Sequence, residues 1–177
     1  THFAVIFDSA RKTFSNDIYR AYTANRSEAP DDLAPQFEYI RTSVLAFNLP
    51  SVDLMNYEAD DLIATYVDQI LKKGAKVTIV SSDKDLMQLY KKGVRIFDPM
   101  KNKFISENDI MIKFGVDASK VIDVQSLAGD SSDNVPWVPG IGVKTAAELI
   151  NKYGNLETLL KSANEIKQNK RRETLIE

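Results

Sequence analysis

The chain has 177 residues, 44% of them hydrophobic and 27% charged, with a net charge of −2, which describes one folded globular domain with room for a small appendage. It contains no cysteine and one histidine, His2, which excludes disulfides, thiolate zinc sites and thiol nucleophiles and argues against a histidine-based triad. No run of about 18 apolar residues occurs, so no helical membrane span is expected; no secretory leader is expected from the start at Thr1, and the lack of cysteine fits a cytoplasmic location.

The continuous apolar run at residues 3–7 predicts a buried strand ending at Asp8. Residues 9–32 are polar and carry Arg11, Lys12, Arg20 and Arg26 among Phe14, Tyr19 and Tyr22, a mobile loop or a partly helical arm. Residues 33–47 have helical spacing, with Phe37, Ile40, Val44 and Leu45 as the apolar stripe. A short strand at 52–55 leads to a strong helix at 58–73, whose stripe is Leu62, Ile63, Tyr66, Val67, Ile70 and Leu71 and whose stop is Gly74. Residues 76–80 predict a strand, 83–90 a short helix, and 94–97 with 103–105 a strand pair around Asp98-Pro99. Ser106 and Asp109 form a capping box for a helix ended by Gly115, and another helix spans 119–127. Strand and helix alternate up to this point, which predicts an α/β domain with a mainly parallel sheet; from Asp130 onward only helices are expected.

Eight carboxylates fall in four clusters where strands give way to turns or helices: Asp8; Glu58, Asp60 and Asp61; Asp83 and Asp85; Asp130 and Asp133. The carboxyl ends of parallel strands face one crevice, so these clusters are expected to converge and to hold cations between them. Oxygen-only ligation suits Mg²⁺ or Mn²⁺ rather than zinc. Each cluster alone also reads as a helix cap or an Asx turn; the four together point to metal-dependent phosphodiester hydrolysis. Without the eight, 17 acidic residues remain against 23 Lys and Arg, a basic surface around an acidic pit. Gly140-Ile141-Gly142 precedes a helix that carries Lys144 and Thr145 in its first turn, a pattern suited to gripping a phosphate.

Taken in order, Phe7-Asp8, Tyr22-Thr-Ala-Asn25-Arg26, Glu58-Ala-Asp60-Asp61, Ser82-Asp-Lys-Asp85, Gly129-Asp-Ser-Ser-Asp-Asn134 and Pro139-Gly-Ile-Gly142 resemble the 5′-nuclease domain of bacterial DNA polymerase I, in the flap endonuclease superfamily. The resemblance implies a PIN-like three-layer α/β domain over residues 1–128 and a helix–hairpin–helix subdomain over 129–177. It implies a divalent-metal-dependent 5′→3′ exonuclease and 5′-flap endonuclease acting on branched or flapped duplex DNA, with a polymerase module in the parent protein. Glu58, Asp60, Asp61 and Asp83 would be inner ligands of a two-metal site, completed by Asp8, Asp85, Asp130 and Asp133. Arg26 would act on the scissile phosphate beside Asp83, while Gly140, Ile141, Gly142, Lys144 and Thr145 would hold the duplex, with K⁺ at the hairpin.

The chain departs from the family pattern at several points. It would lack an earlier strand ending in a metal-binding Asp, and would stop before the last helices. Thr23 stands where the family usually has Lys, Ser15 where it has Arg, Trp137 where it has Gly, and Val143 where it often has Pro. These departures frame the alternative, a catalytically impaired DNA-binding remnant of the same fold. A phosphatase reading is weaker, because Ala10 rather than a second Asp follows Asp8 at two residues.

Overall fold

A computed structural model describes residues 2–10 and 12–176; Thr1 and Arg11, named above, lie outside the described residues. Its contacts divide the chain into two compact units, residues 1–69 and 70–177, with the division inside one helix.

In the first unit, β1 (Val5–Ile6) runs parallel to β2 (Ser51–Val52), with Val5 opposite Ser51 and Ile6 opposite Val52. The Val5 and Phe7 amides donate to the Pro50 and Val52 carbonyls at 2.8 and 2.9 Å, so this ladder is shorter than the apolar run suggests. The polar arm takes the partly helical form. It holds α1 (Phe14–Ile18), whose start is secured by the Thr13 amide donating to Asn16 Oδ1 at 3.0 Å, followed by tight turns up to Arg26.

The helix expected at 33–47 appears as α2 (Gln36–Ala46), yet it buries no residue. Phe37 is 50% and Leu45 65% exposed, so spacing predicted the helix correctly but not a buried stripe. α3 (Ala59–Lys72) follows, and Gly74 ends it at φ +74°. Val67 on this helix, 1% exposed, is the one buried large hydrophobic of the first unit among the described residues.

The second unit carries the core. β3 (Val77–Val80) lies parallel to β4 (Val94–Asp98), which pairs antiparallel with β5 (Lys103–Phe104). Strands are therefore mainly parallel, as expected for an α/β fold, but they are shared between two small sheets of order β1-β2 and β3-β4-β5. A short 3₁₀ turn, Asp85–Leu89, links β3 to β4. Beyond β5 come α4 (Glu107–Phe114), α5 (Val121–Ala128), α6 (Val143–Tyr153), α7 (Leu156–Lys161) and α8 (Asn169–Ile176). Among the described residues no strand follows Asp130, only an isolated bridge between Asp130 and Val135. Ile96, Ile110, Val121, Leu127, Ile150 and Leu159 are buried together with the rest of this apolar interior.

The β4–β5 turn is organised by Asp98, a buried carboxylate that the sequence reading passed over. Its Oδ1 accepts from Ser82 Oγ at 2.7 Å and from the Met100 and Lys101 amides, and its Oδ2 pairs with Lys101 Nζ at 3.0 Å. The Ser82 hydroxyl first, and then the Lys101 ammonium, hold its pKa at about 2, below the ordinary 3.8. A depressed carboxylate stabilises the fold fully above its unfolded pKa, and this contribution is lost as pH falls through the folded value. Asp98→Asn should therefore lower the melting temperature most at neutral pH, with the gap to wild type narrowing between about pH 4 and pH 2. A gap that stays constant down that range would show that Asp98 is not ionised in this role.

Candidate active site

In the second unit, β3 delivers the chain to Ser81, whose amide donates to the Phe97 carbonyl at 3.0 Å and whose Oγ accepts from the Asp83 amide. Asp83 Oδ1 then accepts from the Asp85 amide at 2.9 Å in an Asx turn that leads into the 3₁₀ turn, with its own side chain at the surface. A short polar side chain at such a start satisfies an amide that the turn leaves unpaired. Asp85 points back from this turn, and Gln125 Nε2 on α5 donates to its Oδ1 at 2.5 Å.

α5 ends at Gly129 in a positive-φ conformation, φ +66°, and Asp130 follows at once. Asp130 exchanges both backbone bonds with Val135, at 3.0 and 2.8 Å, which closes the Ser-Ser-Asp-Asn loop on itself. Its buried carboxylate accepts from the Ser132 amide at 2.8 Å and is paired with the Lys84 ammonium. Asp85, Asp130 and Asp133 each present a carboxylate oxygen, all within 4.8 Å of one another. This is the grouping that the sequence reading expected of distant clusters, realised for three of the eight acids.

The electrostatics agree with a crowded acidic pocket. Burial pushes the Asp85 pKa up, the Asp83 and Asp130 charges add to the rise, and the Gln125 amide opposes it. Burial acts in the same direction on Asp130, but Lys84 and the Ser132 amide outweigh it and hold its pKa below the ordinary value. Burial works to lower the Lys84 pKa, yet Asp130, Asp85 and Asp133 raise it overall. The donor set is oxygen-only, which fits a hard divalent cation and excludes a soft-metal preference. Lys84 already contributes one positive charge to the cluster, as such repulsion demands.

The first unit holds the other predicted acids in a different setting. Asp8, just past β1, accepts from the Ala59 amide at 2.7 Å and caps α3; Asp61 accepts from the Glu58 amide at 3.0 Å on the same turn. Asp60 is half-buried in that first turn. Glu58 receives three hydroxyls from the arm: Thr13 at 3.1 Å, Ser15 at 2.9 Å and Tyr22 at 3.1 Å. Arg41 lies 4.6 Å over the Phe7 ring, donates to the Asp8 carbonyl at 2.6 Å and pairs with Asp53 at 3.3 Å. Asp8 and Glu58 line a cleft of about 680 Å³ whose walls also include Tyr22, Thr23, Arg26 and Arg41.

The hairpin stands in the second unit. Gly140 takes φ +79°, and Gly142 is the extended residue ahead of α6. A Cβ added to either would meet nothing within 4 Å, so their backbone is open to close approach. Ile141 is 2% exposed and its amide donates to the Val138 carbonyl at 2.9 Å, which anchors the turn. Lys144 is exposed and Thr145 half-buried in the first turn of α6.

Sequence reasoning missed Lys84, Gln125 and Ser132 as partners of the acids. Lys84 stands in the quoted Asp-Lys-Asp, a visible signal, whereas nothing local marks Gln125 as a partner of Asp85. The hydroxyls on Glu58 likewise come from 36 to 45 residues away.

Residues 1–115 match the family described as 5′-3′ exonuclease, N-terminal resolvase-like domain, and residues 116–177 match 5′-3′ exonuclease, C-terminal SAM fold. The chain belongs to the 5′-3′ exonuclease family. Among its relatives, DNA polymerase I of Rhizobium leguminosarum is 57% identical over 176 residues, covering 99% of this chain and 17% of that protein. The 5′-3′ exonuclease of Aquifex aeolicus is 39% identical over 161 residues, covering 91% of this chain and 56% of its own length. The chain thus spans under a fifth of the polymerase and just over half of the exonuclease. In fold, T5 5′-exonuclease with bound zinc superposes with a TM-score of 0.85 at 24% identity, over 98% of this chain and 68% of that one. The catalytic core of Rad2 in complex with DNA gives a TM-score of 0.58 at 17% identity, over 96% and 55%. No described helix of the chain is long and apolar enough to cross a membrane.

Proposed function

We propose that this chain is the 5′-nuclease part of a DNA polymerase I-like protein: a divalent-metal-dependent 5′→3′ exonuclease and 5′-flap endonuclease that hydrolyses DNA phosphodiesters in the cytoplasm. The observation that carries this reading is the Asp85–Asp130–Asp133 cluster, with its oxygens within 4.8 Å. Those three, with Asp83 beside Asp85, would hold Mg²⁺ or Mn²⁺, and Asp8, Glu58, Asp60 and Asp61 are proposed as further metal-binding acids. When bound, the ions supply hydroxide at neutral pH and stabilise the leaving oxygen.

The chain's own residues do the rest. Arg26, on the wall of the 680 Å³ cleft, would neutralise charge that builds on the phosphoryl oxygens. Gln125 holds Asp85, and Lys84 with the Ser132 amide holds Asp130, so these carboxylates are oriented before a ligand arrives. Gly140, Ile141, Gly142, Lys144 and Thr145 form the proposed grip on duplex DNA, with K⁺ at the hairpin, and residues 129–177 form the proposed helix–hairpin–helix subdomain beside a nuclease domain at 1–128.

The test is incubation of the purified chain with a 5′-labelled flap duplex in Mg²⁺, in Mn²⁺ and in chelator. Cutting near the junction that needs metal is the expected result. Binding without cutting would instead select the DNA-binding remnant, which Thr23 at the arm favours. Neither binding nor cutting would remove both readings.

A further inference from the structure

The loop between the acidic cluster and the hairpin carries the chain's single tryptophan, Trp137, with 62% of its surface exposed. The backbone around it is anchored on every side. Val135 exchanges two backbone bonds with Asp130, the Val138 amide donates to the Leu127 carbonyl at 2.8 Å, and Ile141 is buried just beyond. Gly129 packs against the Pro136 backbone so closely that a Cβ would sit 2.7 Å from it. The indole is therefore an exposed aromatic on a fixed loop, unlike an exposed side chain on a mobile one. An aromatic held this way loses little freedom when a ligand stacks on it.

Its position also defines the ligand. Trp137 lies three residues from Gly140, a span of at most about 11 Å for extended backbone. Successive nucleotides of one strand rise about 3.4 Å, so an indole at that distance reaches a base within roughly three nucleotides of a phosphate held at the hairpin. Gly140 and Gly142 offer open backbone there, with Lys144 beside them.

We propose that Trp137 is a stacking platform for a base, terminal or unpaired, of the DNA held at the hairpin, and so adds a base contact to a grip that otherwise touches only backbone. The proposal rests on the nucleic-acid reading above. Base stacking on an aromatic ring is tolerant of sequence, so this contact would favour frayed or branched DNA over intact duplex without selecting a sequence.

The indole is its own probe. Purified full chain, held in chelator to prevent cutting, is titrated with a fluorophore-labelled 5′-flap duplex, and anisotropy and tryptophan emission are read together. The expected result is quenching of Trp137 emission in step with binding. W137L should weaken binding about 5- to 150-fold, and W137F should recover part of the loss. Circular dichroism of both variants should match wild type, since the ring is exposed. Binding without quenching, and with W137L at wild-type affinity, would overturn the stacking role while leaving DNA binding intact. Absence of any binding by the wild-type chain would overturn the nucleic-acid reading itself, and the stacking role with it.

Discussion

Asp130→Asn should lower flap cleavage by at least about 10²-fold, the scale on which removing one preorganised electrostatic group acts. The substitution keeps the shape of the side chain and leaves one oxygen to accept from the Ser132 amide. It removes the negative charge on which the Lys84 ammonium and any bound cation both depend. Loss of the Lys84 pair alone would be a stability effect, so a second readout is needed. A ligand that binds only the folded state stabilises it by about 2.7 kcal/mol at a hundredfold excess over Kd. For a chain of this size that raises the melting temperature by about 5–10 °C. Mn²⁺ should produce this rise in wild type and little of it in Asp130→Asn. Full cleavage by the variant, or an unchanged Mn²⁺ response, would show that Asp130 serves Lys84 and not a metal.

The second large effect is expected at Gly129→Ala. Gly129 sits at φ +66° and ψ −176°, a region that essentially only glycine occupies, so a Cβ there costs roughly 1–3 kcal/mol. The new Cβ would also lie 2.7 Å from the Pro136 carbonyl carbon and oxygen and from the Val135 oxygen. These are backbone atoms pinned by the Asp130–Val135 bonds, so they cannot swing away as a flexible side chain would. Forcing atoms into packed structure costs about 1–3 kcal/mol, for a total of roughly 2–6 kcal/mol and a drop in melting temperature of about 4–24 °C. Gly140→Ala is the control. Gly140 also has positive φ, +79°, but no atom lies within 4 Å of a Cβ there, so only the conformational cost of about 1–2 kcal/mol should appear. Equal melting temperatures for the two variants would mean that the contact with Pro136 contributes nothing. Because Asp130 follows Gly129 directly, Gly129→Ala should also weaken the Mn²⁺ response, an effect that Gly140→Ala should not have.

Local chemistry made much of this chain legible in advance. The helix at Glu107–Phe114 was readable because its signals are adjacent: Ser106 and Asp109 cap one another, and Gly115 ends the helix at φ +72°. The strand pair around Asp98-Pro99 and the turn between Gly140 and Gly142 were readable for the same reason. The acid clusters were visible as types and spacings, and Asp85, Asp130 and Asp133 do meet although 45 residues of chain separate the first from the second.

What the sequence by itself determined was therefore the order of the elements, their caps and stops, and which residues carry chemistry, since each depends on neighbours a few positions away. Only the tertiary structure decided that α2 leaves Phe37 and Leu45 exposed, because spacing sets a stripe but not what covers it. It alone decided that Asp98 is a buried turn-former, that Glu58 receives Thr13, Ser15 and Tyr22, and that Asp85 answers to Gln125. A carboxylate's role is set by the donors that reach it, and donors brought from distant parts of the chain leave no mark on the residues beside it.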